Sequence, residues 1–323
     1  MMTLRIAYIG AGGFTNAFMF PQLSRHEIEL AAVCDLDESK ALAAQKKYGF
    51  GSVYTDFIKM LEVEKPGAVF CVGGPKVHYE IGMQVLDRGF PLYVQKPPAP
   101  GSAQVREMTQ LATRKGVVCH VGFNLRAAPA TLQARQILKE KEFGRPLLGV
   151  FRYGLASTPS VAFNVKDQHC HLVDTARFLM GEVESVKALF TGKPEGRDYV
   201  VALRFESGAV GTLNFTSGQP FEKEFLYFEI TGEGSFISSH GFERLTWTRS
   251  LNHPWWREPK ADLVYTHGAY GFDVVLEMYG YIGDVENFLG AVKGEQQDLC
   301  PIGDTEKTAE VGEEILSQLG FSD

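Results

Sequence analysis

The stretch LRIAYIGAGGFT, Leu4 to Thr15, decides how the chain is read. Its first half is a short apolar run of β-formers and its second half is a glycine turn. The apolar segment NAFMFPQL, Asn16 to Leu23, comes next, so the order is strand, turn, helix. Working outward, IELAAVCDLD reads as a second strand that ends at Asp35, and ESKALAAQKKYG as a helix closed by Gly49. GAVFCVGG, PLYVQKP and VVCHVGF read as further strands, with HYEIGMQVLDRG and SAQVREMTQLATRKG as helices between them. Strands alternating with helices specify a doubly wound parallel sheet of the Rossmann type. Ligands on such a sheet bind at the carboxyl ends of the strands.

Gly10 to Thr15 fits the dinucleotide fingerprint GxGxxG except at Thr15, where a glycine is expected. Gly10 permits the tight turn and Gly12 lets the backbone approach a pyrophosphate. A glycine turn that merely connects two elements is the plainer reading. Asp35 counts against it, because it follows the fingerprint by roughly twenty residues. A carboxylate there accepts hydrogen bonds from ribose hydroxyls and repels a 2′-phosphate. No arginine follows it; Leu36 and Asp37 do. NAD is therefore the expected cofactor, with NADP disfavoured.

At 323 residues the chain is long enough for two domains. We place a nucleotide-binding domain at residues 1–122 and an α+β domain at 123–323. With 45% hydrophobic and 22% charged residues the composition is that of a globular protein. A net charge of −7 and the lack of a basic run argue against nucleic acid as a partner. MMTLRIAYIG reads as a first strand rather than a secretory signal. No apolar stretch approaches the ~20 residues of a membrane helix, so the expectation is a cytoplasmic protein without membrane contact. The five cysteines are scattered, odd in number and free of CxxC pairs, which suits reduced thiols better than a structural zinc site.

Beyond residue 122 the pattern changes. GRPLLGVFRYGLA, VESVKALFTG, YVVALRFESG, AVGTLNFTSG, KEFLYFEITGEG and SFISSH alternate apolar with polar residues between glycine turns. They read as strands of a large, mostly antiparallel open sheet. One face is expected to cover the helices ATLQARQILKE and HLVDTARFLMG. LNHPWWREP, Leu251 to Pro259, is an aromatic insertion whose Trp255 and Trp256 suit a lid, an interface or a sugar-stacking role. GDVENFLGAVKGE and GDTEKTAEVGEEILSQL read as two final helices.

Within that half, DQHCHLVD, Asp167 to Asp174, is dense in chemistry. Asp167 and His171 are four apart and share a face if the segment is one helix. His169 points elsewhere on that helix, and pocket lining or plain packing are both open for it. Asp174, three residues from His171, is placed to hydrogen-bond its ring. The donor types suit a metal, but His-x-His does not bring two imidazoles to one helix face, and no metal is expected. Read singly, Asp167 is a helix-start charge and His171 a satisfied structural histidine.

Several segments resemble the Gfo/Idh/MocA oxidoreductase family, in one order along the chain. They are Gly73-Gly74-Pro75 with Val77-His78, then Val94-Gln95-Lys96-Pro97, GFNLR from Gly122, DQHCHLVD, and FLMGE from Phe178. The resemblance implies that Lys96, Asp167 and His171 act together in hydride transfer at a carbinol carbon. Histidine suits the base that takes the hydroxyl proton as hydride leaves. A lysine at the same oxygen stabilises developing alkoxide charge, and Asp167 orients lysine or substrate. Cofactor contacts are expected from Gly10, Gly12, Gly13, Phe14, Asp35, Pro75, His78 and Lys96. Substrate contacts are expected from Asn124, Arg126 and His169, although bracing the structure is an equal reading for Arg126. The implied substrate is a sugar, polyol or related small molecule, and the implied assembly a homodimer or homotetramer built through the second domain's sheet. Two positions depart from the family pattern: Gln95 stands for Glu and His169 for Gly. Two rival readings use the same scaffold: transient oxidation that drives glycosidic elimination, and a dinucleotide sensor without catalysis.

Overall fold

Six short apolar runs form the first sheet: β1 (Leu4–Ile9), β2 (Ile28–Cys34), β3 (Ser52–Tyr54), β4 (Ala68–Cys71), β5 (Leu92–Gln95) and β6 (Cys119–Gly122). They lie parallel in the order β3-β2-β1-β4-β5-β6, so the direction of winding reverses between β1 and β4. β4, β5 and β6 are buried along their whole length, because crossover helices cover both faces of such a sheet. The structure is a computed structural model, and it describes residues 3–154, 160–191, 198–216, 226–250, 259–266 and 272–321.

The crossover helices are α1 (Phe20–Leu23), α2 (Glu38–Tyr48), α3 (Phe57–Glu64), α4 (Pro75–Asp87) and α5 (Ser102–Lys115). α2 starts where the Asp37 carboxylate accepts the Ser39 N–H and stops at Gly49, whose φ of +83° only glycine adopts easily. Two elements, β3 and α3, are absent from the sequence reading, since a half-buried strand of three residues carries too little periodicity to show. The helix expected directly after the glycine turn is different too. Thr15–Met19 form a π-helical turn, and the α-helical piece that follows it is Phe20–Leu23, with Pro21 at its start.

Backbone contacts divide the chain into one unit of Met1–Phe123 with Tyr281–Glu306 and a second of Asn124–Gly280 with Lys307–Asp323. The second part of the chain is thus not the continuous block 123–323 that the sequence reading expects. Val285, Phe288 and Leu289 explain the return, because they complete the first unit's core around Tyr8, Phe70 and Tyr93. The Phe288 ring stands edge-on to Phe70 at 5.1 Å and to Tyr93 at 5.6 Å.

The second unit is built on β7 (Leu148–Gly154), β8 (Val183–Phe190), β9 (Tyr199–Phe205), β10 (Val210–Thr216), β11 (Leu226–Thr231), β12 (Ser235–His240), β13 (Arg244–Ser250) and β14 (Pro259–Thr266). Their order is β14-β13-β12-β11-β7-β10-β9-β8, antiparallel at every pair except the parallel β7–β10. In β9 every second residue, Tyr199, Val201, Leu203 and Phe205, is buried. The later helices are α6 (Pro129–Ile137), α7 (Val161–Phe163), α8 (Cys170–Met180), α9 (Phe272–Met278), α10 (Tyr281–Lys293) and α11 (Ile302–Gln318). α6, α8 and the later part of α11 pack on the inner face through Ala134, Val173, Ala176 and Ile315. β13 and β14 add two strands to those expected, joined to the sheet by the Gly241-Phe242 turn with φ of +60° and +57°. Residues 251–258, with Trp255 and Trp256, lie outside the described residues. Among the described residues no helix is long and apolar enough to cross a membrane.

Candidate functional site

In the first unit the strand ends carry the glycine loop. Gly10 has φ of +98°, and a side chain there would collide with the Val72 carbonyl oxygen. A Cβ on Gly12 or Gly13, by contrast, would meet nothing within 4 Å. The loop backbone therefore borders open space, as diphosphate binding requires. Asn16 ties the loop together, its amide donating to the carbonyls of Ala11 (2.8 Å) and Gly12 (3.0 Å).

Asp35 stands at the end of β2 and holds the same loop. Its Oδ2 accepts the Ala11 N–H at 2.7 Å and its Oδ1 the Asp37 N–H at 3.0 Å. Each oxygen keeps a second acceptor position for a ribose hydroxyl. The open glycine backbone and this carboxylate fit NAD. Phe14 is half-buried beside Phe18, with ring centroids 5.1 Å apart, and both rings neighbour Tyr281.

Pro75 occupies the first turn of α4, where its missing N–H costs nothing. His78 is fully buried, and its ring is committed to the protein. Its Nε2 accepts the Gly73 N–H at 2.9 Å, so its Nδ1 carries the proton and donates to the Pro97 carbonyl at 2.8 Å. The ring thus braces the β4–α4 turn against the segment after β5. Lys96 follows β5, half-buried, and its own N–H donates to Gln95 Oε1 at 2.7 Å. Gln95 is itself buried, and Gly122 leaves room for it: a side chain at 122 would lie 2.8 Å from Gln95 Oε1.

In the second unit DQHCHLVD is not one α-helix. Asn164–Gln168 form a π-helical turn, closed by the His169 N–H donating to the Asn164 carbonyl at 2.6 Å, and α8 begins only at Cys170. Asp167 and His171 belong to different helical segments, so the shared α-helical face expected from their spacing is corrected. π-turns of this kind are frequent at functional sites. Asp167 is half-buried and accepts the Gln168 amide at 2.5 Å. His171 lies buried in the first turn of α8, 9% exposed.

Three expected substrate contacts are turned inward. The Arg126 guanidinium, 3% exposed, forks onto Asp174: Nε to Oδ2 at 2.7 Å and Nη2 to Oδ1 at 2.5 Å. The fork braces Arg126 against Asp174, which also accepts the Thr308 hydroxyl at 3.1 Å. Asn124 donates its amide to the Tyr279 carbonyl at 2.7 Å. His169 stacks on Phe215 at 4.1 Å, meets Tyr153 edge-on at 5.3 Å and shares a hydrogen bond with the Tyr199 hydroxyl. Burial drives its pKa down to about 3, so the ring is neutral and anchors the turn to the sheet. Sequence spacing cannot reveal such partners, since they come from distant strands.

A buried polar cluster also escapes sequence reading. His120 on β6 meets Asp298 at 2.6 Å through Nδ1 and Asp284 at 3.0 Å through Nε2, and Tyr93 donates to Asp284 at 2.7 Å. The one sequence signal for it is a histidine inside the apolar run VVCHVGF.

Comparison with known proteins agrees with this architecture. Residues 4–123 match the family described as "Oxidoreductase family, NAD-binding Rossmann fold", and residues 131–238 match the "GFO/IDH/MocA C-terminal domain". The chain belongs to the Gfo/Idh/MocA family. It is 32% identical over 199 residues to D-glucoside 3-dehydrogenase of Escherichia coli, covering 57% of each chain. It is 29% identical over 191 residues to D-apiose dehydrogenase of Paraburkholderia graminis, covering 56% of this chain and 51% of that one. The chain thus spans little more than half the length of these curated relatives. Levoglucosan dehydrogenase, solved in complex with NADH and L-sorbose, shares the fold with a TM-score of 0.83 at 20% identity, over 99% of this chain and 97% of that one.

Proposed function

We propose that the protein is an NAD-dependent dehydrogenase that moves hydride between the nicotinamide and a secondary hydroxyl or carbonyl of a sugar or polyol. The observation that carries this is the glycine loop held open by Asp35, whose carboxylate takes the Ala11 N–H and still offers acceptor positions to a ribose. The names of two relatives, D-glucoside 3-dehydrogenase and D-apiose dehydrogenase, support the substrate class. Bound NAD supplies the hydride acceptor. His171 takes the hydroxyl proton, and Lys96 steadies the negative charge that develops on that oxygen. Asp167 orients the reacting groups. The five reduced, buried thiols support a cytoplasmic setting.

Assembly through the outer face of the second sheet belongs to the same reading. Leu148 pairs with Val210 across β7 and β10, Val200 pairs with Leu189 across β9 and β8, and all four are exposed on one face of the sheet, with Arg204 opposite Val210 between the two pairs. The test of catalysis is reduction of NAD by a panel of sugars and polyols. Lys96→Ala and His171→Ala should each lose about 10²–10⁴-fold in turnover on the substrate found. Wild-type turnover in both variants would sink the assignment. NADH binding with no turnover of any compound would favour the sensor.

A further inference from the structure

We propose that Gln168 and Tyr153 are positioning residues that fix the plane of the Asp167 carboxylate. The inference rests on the role given to Asp167 above. Gln168 Nε2 donates to Asp167 Oδ2 at 2.5 Å, and the Tyr153 hydroxyl donates to Gln168 Oε1 at 3.1 Å. The order of the relay is set by chemistry. Turning the amide over would point its carbonyl oxygen at a carboxylate oxygen, and neither can donate. Tyr153 is rigid in turn, buried on β7 with its ring edge-on to His169, which Phe215 and Tyr199 hold. A strand of the sheet therefore reaches Asp167 through one neutral amide.

Gln168 and Tyr153 act through Asp167, so the test needs a readout that loss of packing would not move. Gln168→Leu removes the donor, and Tyr153→Phe removes only the hydroxyl behind it. Gln168→Glu is the diagnostic variant, because a glutamic acid donates to Asp167 only while it is protonated. Two adjacent carboxyl groups resist ionising together, so protonation of the new side chain should persist to about pH 5 or above. Steady-state rates are measured on the substrate that wild type oxidises, at each pH, with melting temperature and KM for NAD as controls.

We expect Gln168→Leu and Tyr153→Phe to lower kcat by about ten- to a hundredfold, with KM for NAD nearly unchanged. Gln168→Glu should approach wild-type kcat at low pH and fall away from it as pH rises. Wild-type kcat in Gln168→Leu and Tyr153→Phe, together with a wild-type pH profile in Gln168→Glu, would overturn the positioning role alone. If wild type oxidises nothing in the panel, the reading of Asp167 itself fails and this role falls with it.

Discussion

His120 lies fully buried between two carboxylates, and that single residue links the first unit's stability to pH. Burial opposes its charge, but Asp284 and Asp298 outweigh burial and raise its pKa to about 9. The folded value lies above the ordinary ~6.5, so the imidazolium contributes its full stabilisation below pH ~6.5 and loses it as pH rises through about 9. Wild type should therefore melt progressively lower between neutral pH and pH ~9.5. His120→Gln should flatten that dependence and cost about 3–5 kcal/mol at neutral pH, because it strands buried carboxylates. Melting scans across pH, on both proteins, check both statements. Gly10 gives a second residue-scale prediction. Alanine there combines a forbidden φ with a collision against backbone, a strain of roughly 1–3 kcal/mol. NAD affinity of Gly10→Ala, measured by calorimetry, should fall about tenfold or more.

Elements in this protein are positioned by a few charged contacts that sequence order does not display. Arg126, in the turn Asn124–Ala127 after β6, reaches α8 through Asp174, and Thr308 on α11 links Asp174 to Arg177 at 2.7 Å. Breaking one side of this buried pair leaves an uncompensated charge. Arg126→Met should destabilise by about 3–5 kcal/mol, and Arg126→Met with Asp174→Leu should recover much of that loss. Denaturant melts of the single and double variants decide it. Non-additive recovery identifies a structural pair, whereas an unaltered melt with an altered KM would restore Arg126 to substrate binding. β1, β2, β4, β5 and β6 were legible because each is an apolar run ended by a turn or polar residue, whereas the three residues of β3 were too few to show. The π-turns at Thr15–Met19 and Asn164–Gln168 were not legible, because one extra residue per turn leaves composition unchanged.

At the scale of the whole molecule, the exposed apolar pairs Leu148–Val210 and Val200–Leu189 on one sheet face predict self-association. Val200→Glu should shift the protein to a smaller species in sedimentation while leaving its melting temperature near wild type, because Val200 faces outward on β9. An unchanged sedimentation profile would move the interface elsewhere. LRIAYIGAGGFT, Asp35 and the order of strands and helices by themselves determined the nucleotide-binding sheet, its glycine loop and the preference for NAD. That information is local: apolar periodicity, a turn that only glycine permits, and one carboxylate at a strand end. Only the tertiary structure decided what the polar residues of the second half do. Arg126, His169 and Asp174 carry functional residue types, and burial ties each of them to partners on other elements. A side chain's role follows from which atoms it meets, and long-range packing chooses those.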